Sequence, residues 1–329
     1  MSRSSSSPAP KVYGWCPGAL RPMMSGDGLV VRIRAPLGRL SQEQARAIAG
    51  LSQQHGNGLI DLSARANLQL RGISDQSHAA VIAGLQDMGL LDRDTATESR
   101  RNILLSPFWQ PGDANHTIAR SLERALKAAE DLLLPGKFGF VVDAGPKPQL
   151  QSCAADIRIE RSGDTLVVVA DGAHTGCPME VQTAAEAALD LARWFLDQGG
   201  ASMGRGRMQA LIARRAAPAS HSSPRSSSAP EPSPGMTAFG PLVALEFGQI
   251  TAEAFARLAD HGPLRLTPWR MILVEGAPEL ATLPGVILDA TDPRLQVRVC
   301  TGAPGCLQAL SPTRDLARDL APFVPKGQV

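Results

Sequence analysis

At 329 residues the chain is longer than one hydrophobic core usually organises, so two or more domains are expected. Hydrophobic residues make up 43% and charged residues 19%, and a formal net charge of +2 excludes a bulk nucleic-acid binder, so function must reside in local sites. Five cysteines, an odd number in so long a chain, point to reduced thiols or metal ligands rather than a disulfide framework.

Residues 1–12 are Ser- and Pro-rich and are expected to form a disordered tail without the apolar stretch of a secretion signal. No run of eighteen apolar residues follows, so a cytoplasmic protein with no membrane partner is expected. The first unit, 13–92, reads as strand 29–34, helix 41–55 with a Ser cap, strand 60–73 and helix 75–88, an α+β arrangement with helices on one face of a sheet. The next, 93–215, begins with a strand at 100–107 entered by Arg100 and Arg101. It continues with a helix at 116–134 stopped by Pro135 and Gly136, and a strand at 137–143 with Lys137 at its mouth. Strands at 155–160 and 165–170 should pair through the Ser162, Gly163, Asp164 turn, and a helix fills 183–198. The Ser-, Pro- and Ala-rich segment 216–235 reads as a flexible linker.

After it the first unit recurs over 236–292, with 293–329 left as a further part. Leu62, Ser63 and Gly72 fall on Leu266, Thr267 and Gly276, and His55 on His261, which suggests a duplication around one large site. In the 60–73 segment, I-D-L-S-A-R-A-N-L-Q-L-R-G-I, a period-2 ribbon would place Arg65, Asn67, Gln69 and Arg71 on one side and Leu68 and Leu70 on the other. Such a face is either a solvated sheet surface or a seat for an anionic ligand, because arginine forks match carboxylate and phosphate oxygens. The second copy has Trp269 in place of Arg65, so the N-terminal copy is expected to hold the anion, with Arg65 mattering more than Arg32.

Cys300 and Cys306 flank a Gly- and Pro-rich loop, C-T-G-A-P-G-C, and either face one metal centre or are unrelated thiols. Cys153 and Cys177 read as small buried residues, and His174 as a loop histidine. The turns Gly26, Asp27, Gly28 and Gly204, Arg205, Gly206 fit no nucleotide fingerprint.

Taken together, C-P-G-A-L-R-P-M-M-S-G-D-G-L, I-D-L-S-A-R-A-N-L-Q-L-R-G, L-P-G-K-F-G-F-V-V-D-A-G, L-T-P-W-R and C-T-G-A-P-G-C resemble the nitrite/sulfite reductase superfamily, and within it the precorrin-3B synthase branch of aerobic cobalamin biosynthesis. The resemblance implies an α+β fold of duplicated ferredoxin-like half domains with a nitrite/sulfite reductase-type α+β domain, the second copy incomplete. It implies a cytoplasmic oxidoreductase of the monooxygenase type, which hydroxylates and lactonises precorrin-3A with dioxygen and NADH-derived electrons. A sirohaem and iron-sulfur sulfite or nitrite reductase, or an inactive cluster-free tetrapyrrole-binding remnant, are the alternatives. The implied tetrapyrrole contacts are Arg65, Gln69, Arg71, Arg101, Asn102 and Lys137. Cys300 and Cys306 are the implied ligands of a 4Fe-4S cluster, two of four, with non-haem iron or sirohaem as further cofactors. An electron-donor protein or reductase is the implied partner, and no nucleic acid. Gly139 stands where the sulfite reductases carry a second lysine, which argues against reduction of a small dianion. The family's second cysteine pair, separated by three residues, does not occur before Val329, so truncation or loss of the cluster is expected.

Overall fold

The computed structural model describes residues 16–215 and 217–324, and the expected tail at 1–12 lies outside them. The first half domain runs through β1 (Met23–Ser25), β2 (Gly28–Ile33), β3 (Arg39–Leu40), α1 (Gln42–His55), β4 (Leu59–Leu62), β5 (Leu68–Ile73) and α2 (Asp75–Asp87). A capping box between Ser41 and Gln44 starts α1, and its apolar spacing turns Ala45, Ile48 and Ala49 into the core.

The single strand expected over 60–73 is a hairpin. Antiparallel pairing sets Ile60 against Leu70 and Leu62 against Leu68, around a turn in which Ser63 Oγ accepts from the Asn67 and Arg65 amides. Neither Gly nor Pro marks this turn; the serine hydroxyl replaces ladder partners and Ala66 takes up φ 54°. Leu68 and Leu70 are fully buried, as alternation requires, but Arg65 rides on the hairpin tip.

The second domain comprises α3 (Thr95–Arg100), β6 (Ile103–Leu105), α4 (Ala114–Ala128), β7 (Phe140–Asp143), β8 (Ile157–Ser162), β9 (Thr165–Ala170), β10 (Thr175–Met179), α5 (Ala184–Asp197), α6 (Met208–Ile212) and β11 (Ser223–Pro224). Its sheet has the order β11-β10-β9-β8-β7-β6, parallel only across β6, β7 and β8. The strand expected at 100–107 is shortened because Asp94 caps α3, which carries Arg100 in its last turn. The helix expected at 116–134 ends where Ala129 leaves helical geometry, and the strand expected from Lys137 starts at Phe140, since the Phe138 amide turns back to Pro135.

Segment 217–235, expected as a flexible linker, is laid along this domain as a strap. The β11 strand pairs with β10, the Ala229 amide donates to Pro148 O at 2.7 Å, and Arg225 grips Glu160 through Nε at 2.6 Å and Nη2 at 3.1 Å. Glu160 is 1% exposed, and a buried carboxylate must find a cation; composition alone does not register so distant a partner.

The second half domain contains β12 (Gly235–Thr237), β13 (Gly240–Leu245), β14 (Gln249–Thr251), α7 (Ala252–Ala259), β15 (Leu264–Leu266), β16 (Met271–Val274) and β17 (Val286–Ile287). The copies exchange strands. Ile250 of β14 pairs with Ile60 of β4, while Leu40 of β3 pairs with Leu264 of β15. Leu37 and Phe247 both have φ 54°, and Ala66 and Arg270 have φ 54° and 59°, so the repeat reaches its left-handed residues. One core spans both copies, joining Ile48, Leu68 and Leu70 to Phe255, Leu258 and Val274. Beyond it come a helical turn at Pro293–Gln296, the cysteine loop and α8 (Arg314–Leu320).

Candidate functional site

The side of the first sheet turned away from its helices is cationic because β2 and β5 lie side by side. Arg32 faces Gln69 in register. Arg32 is 9% exposed, and its Nε has no hydrogen-bond partner among the described residues. Two residues on, Arg34 pairs with Glu98 at 3.1 Å but leaves its own Nε unpartnered; burial lowers its pKa to about 10. The hairpin tip brings in Arg65, whose Nη2 donates to the Lys137 carbonyl at 2.9 Å and so reaches the mouth of β7. Burial depresses the Arg65 pKa, against the field of Cys16, with Arg207, Asp156 and Arg32 also close enough to act on it. Lys137 itself is exposed, and Gln69 is half-buried.

Arg32, Arg65 and Gln69 are therefore gathered on one floor with guanidinium donors to spare, and Arg65 ties that floor to the Lys137 main chain. A desolvated cation with unsatisfied donors is costly alone and suits carboxylate oxygens. Arg32 was expected to matter less than Arg65; β2 instead carries it onto the same floor. The R-I-R alternation of 32–34 was the available signal for Arg32 and Arg34.

Three other expected contacts are committed inside the protein. Arg101 forks onto Asp92, with Nε at 2.9 Å from Oδ1 and Nη2 at 2.9 Å from Oδ2, and donates to Arg34 O. Burial would lower its pKa, but Asp92 and Glu123 outweigh that and hold it above the ordinary value. Asn102 Nδ2 donates to Phe138 O at 2.8 Å. A Cβ at Gly139 would lie 2.8 Å from the same Nδ2, so a side chain there would displace Asn102. Arg71, expected on the ligand face, binds Asp27 through Nε at 3.1 Å and Nη2 at 2.7 Å, and Nη2 also donates to Gly305 O.

The cysteine loop thus rests on the first half domain. Cys300 is exposed and Cys306 half-buried. Among the described residues, no group of three or more metal-ligating side chains is assembled. Cys153 packs against the core, with burial pushing its thiol pKa up to about 11, and Cys177 lines a separate 340 Å³ pocket with Met179 and Trp194. Cys300 and Cys306 alone are half the usual complement of a 4Fe-4S cluster. The arginine floor, by contrast, has the donor chemistry a polycarboxylate tetrapyrrole needs.

Residues 21–88 match the nitrite/sulfite reductase ferredoxin-like half domain. A precorrin-3B synthase of Sinorhizobium sp is 29% identical over 350 aligned positions, covering 95% of this chain and 74% of that protein. A ferredoxin–nitrite reductase of Synechococcus elongatus is 31% identical over 135 residues, 38% of this chain and 26% of its own. The chain thus carries the half domain of nitrite and sulfite reductases over 21–88 and is similar to a precorrin-3B synthase along most of its length. The Mycobacterium tuberculosis NirA structure has the same fold, with a TM-score of 0.67 at 16% identity over 90% of this chain; the chain spans 64% of NirA. The superfamily fold, α+β with the ferredoxin-like half domain, is as expected from the motifs. Among the described residues no helix is long and apolar enough to cross a membrane.

Proposed function

We propose that this chain is an oxidoreductase of cobalamin biosynthesis that converts precorrin-3A to hydroxylated, lactonised precorrin-3B. The observation that carries the reading is the convergence of Arg32 and Arg65, one with an unpartnered Nε and the other desolvated, beside Lys137. A precorrin bears many carboxylates, and each charge-assisted contact to one is worth roughly 1.5–3 kcal/mol when buried. The relative named precorrin-3B synthase, similar along 95% of this chain, supports the same substrate class.

In this reading Arg65 and Arg32 hold and orient the macrocycle by its acid side chains, while Gln69 donates between them. Lys137, exposed at the rim, neutralises an outer carboxylate. An iron cofactor and an electron donor would supply the oxygen chemistry: dioxygen, two electrons and two protons give one oxygen to the substrate and one to water. The test is incubation with precorrin-3A, dioxygen and a reducing system after iron and sulfide reconstitution. A product heavier by one oxygen is expected, and absence of that product in a fully loaded protein overturns the proposal.

The similarity to ferredoxin–nitrite reductases favours a second reading, a sirohaem protein reducing nitrite or sulfite. Gly139, pressed against Asn102, leaves Lys137 alone in its segment to meet a small anion. Sirohaem absorption with nitrite or sulfite consumption would select that reading.

A further inference from the structure

The turn at residues 25–28 and the loop at 300–306 fit each other through backbone, with no intervening side chain on either glycine. A Cβ on Gly26 would stand 2.0 Å from Pro304 O and 3.1 Å from Cys306 C, and one on Gly305 would stand 2.8 Å from Arg71 Nη2. Gly305 O accepts twice, from Ser25 Oγ at 2.5 Å and from Arg71 Nη2 at 2.6 Å. Arg71 is in turn fixed by its fork onto Asp27, which also accepts from Asn57 Nδ2 at 3.0 Å, and by Asp61 at 3.7 Å. The loop closes on itself where the Cys306 amide donates to Gly302 O at 2.8 Å, and Thr313 Oγ1 holds Cys300 O at 2.9 Å.

We propose that Arg71, with Ser25 and Gly26, is a clasp that positions the Cys306 thiol against the first half domain, and that it does so before any metal binds. Arg71 is then a positioning residue and not a contact to substrate. Its Nε and Nη2 are taken up by Asp27 and Ser25 on the turn and by Gly305 O on the cysteine loop. A charged, buried donor on a main-chain carbonyl is a strong tether, and the two glycines let the backbones approach closely enough for it to form. The two cysteines are consequently unlike: Cys300 is exposed at the far end of the loop, while Cys306 follows directly on the gripped carbonyl. The inference goes beyond the proposed reaction and stands whether or not that reaction is found.

The test is the rate at which iodoacetamide alkylates each cysteine of the full-length, metal-free protein, followed by peptide mass spectrometry. In the wild type Cys306 should react more slowly than Cys300. Arg71→Met should accelerate Cys306 roughly tenfold or more, Gly26→Ala and Ser25→Ala several-fold, and Arg71→Lys should restore part of the protection. Cys153, half-buried against the core with its thiol pKa raised, reports on the whole fold and should stay slow. If it too becomes reactive in Arg71→Met, that variant has unfolded, and Gly26→Ala and Ser25→Ala decide. Cys306 rates within about twofold of wild type in every folded variant would overturn the clasp.

Discussion

The two half domains share a backbone but oppose each other in chemistry. Hairpin positions that carry Arg65, Asn67, Gln69 and Arg71 in the first carry Trp269, Met271, Leu273 and Glu275 in the second. In the second copy Met271 and Leu273 join Leu242, Ala244 and Ile287 in an apolar patch, covered by Phe108, Phe239 and Trp269. Arg265 stacks 4.3 Å from the Trp109 ring centroid, pairs with Glu275, and donates to Pro107 O and Trp109 O. That face is sealed against the second domain. The first copy keeps charge on the equivalent face and leaves donors over, so one copy of a duplication anchors while the other stays available to a ligand.

The largest effect that would sharpen the contrast is on the sealed side. Arg265→Ala takes one of two arginines from half-buried Glu275, which keeps Arg39, and strips the donor from the buried Pro107 and Trp109 carbonyls, and should cost about 3–5 kcal/mol in urea unfolding. Arg65→Ala should instead weaken binding of a polycarboxylate porphyrin such as uroporphyrin roughly 10- to 100-fold by absorbance titration, with little loss of stability. Arg32→Ala should do nearly as much. A stability loss at Arg65 as large as that at Arg265, with binding unchanged, would break the comparison. Gly139→Ala should lie between, costing about 1–3 kcal/mol in thermal unfolding as Cβ pushes Asn102 off Phe138 O.

The smallest effect concerns the strap that joins the two copies. His221 Nε2 accepts from the Ala170 amide at 3.1 Å, and burial lowers the ring's pKa from 6.5. The unfolded chain therefore binds more protons just below pH 6.5, so stability should fall as pH drops from 6.5 toward the folded value. The slope is bounded by about 1.4 kcal/mol per pH unit, and His221→Gln should remove it in chemical denaturation series.

Much of this was legible in the chain. The repeat, the capped helices and the burial of Leu68 and Leu70 follow from spacing, because periodicity reports which side of an element meets a core. It does not report what covers the other side. Arg71 and Arg101 look as available as Arg65 until folding brings Asp27 and the cysteine loop to one and Asp92 to the other. The 63–67 turn escaped notice for a related reason: its serine makes local bonds that imitate a ladder, and the sequence around it keeps alternating. The strap was misread because Ser and Pro composition signals the absence of a core, whereas Arg225 supplies a specific partner to a carboxylate 65 positions away.

The strand exchange bears on how the chain could be divided. Since β14 completes the first copy's sheet and β3 the second's, cutting the strap between them would separate two polypeptides that each lack an edge strand. Each fragment would expose unpaired amides and carbonyls suited to the other's strand, so a nicked protein should remain a complementing pair. Such an arrangement is what fusion of a symmetric dimer would leave behind: an old subunit interface, now internal, still carrying the handshake that once held separate chains together.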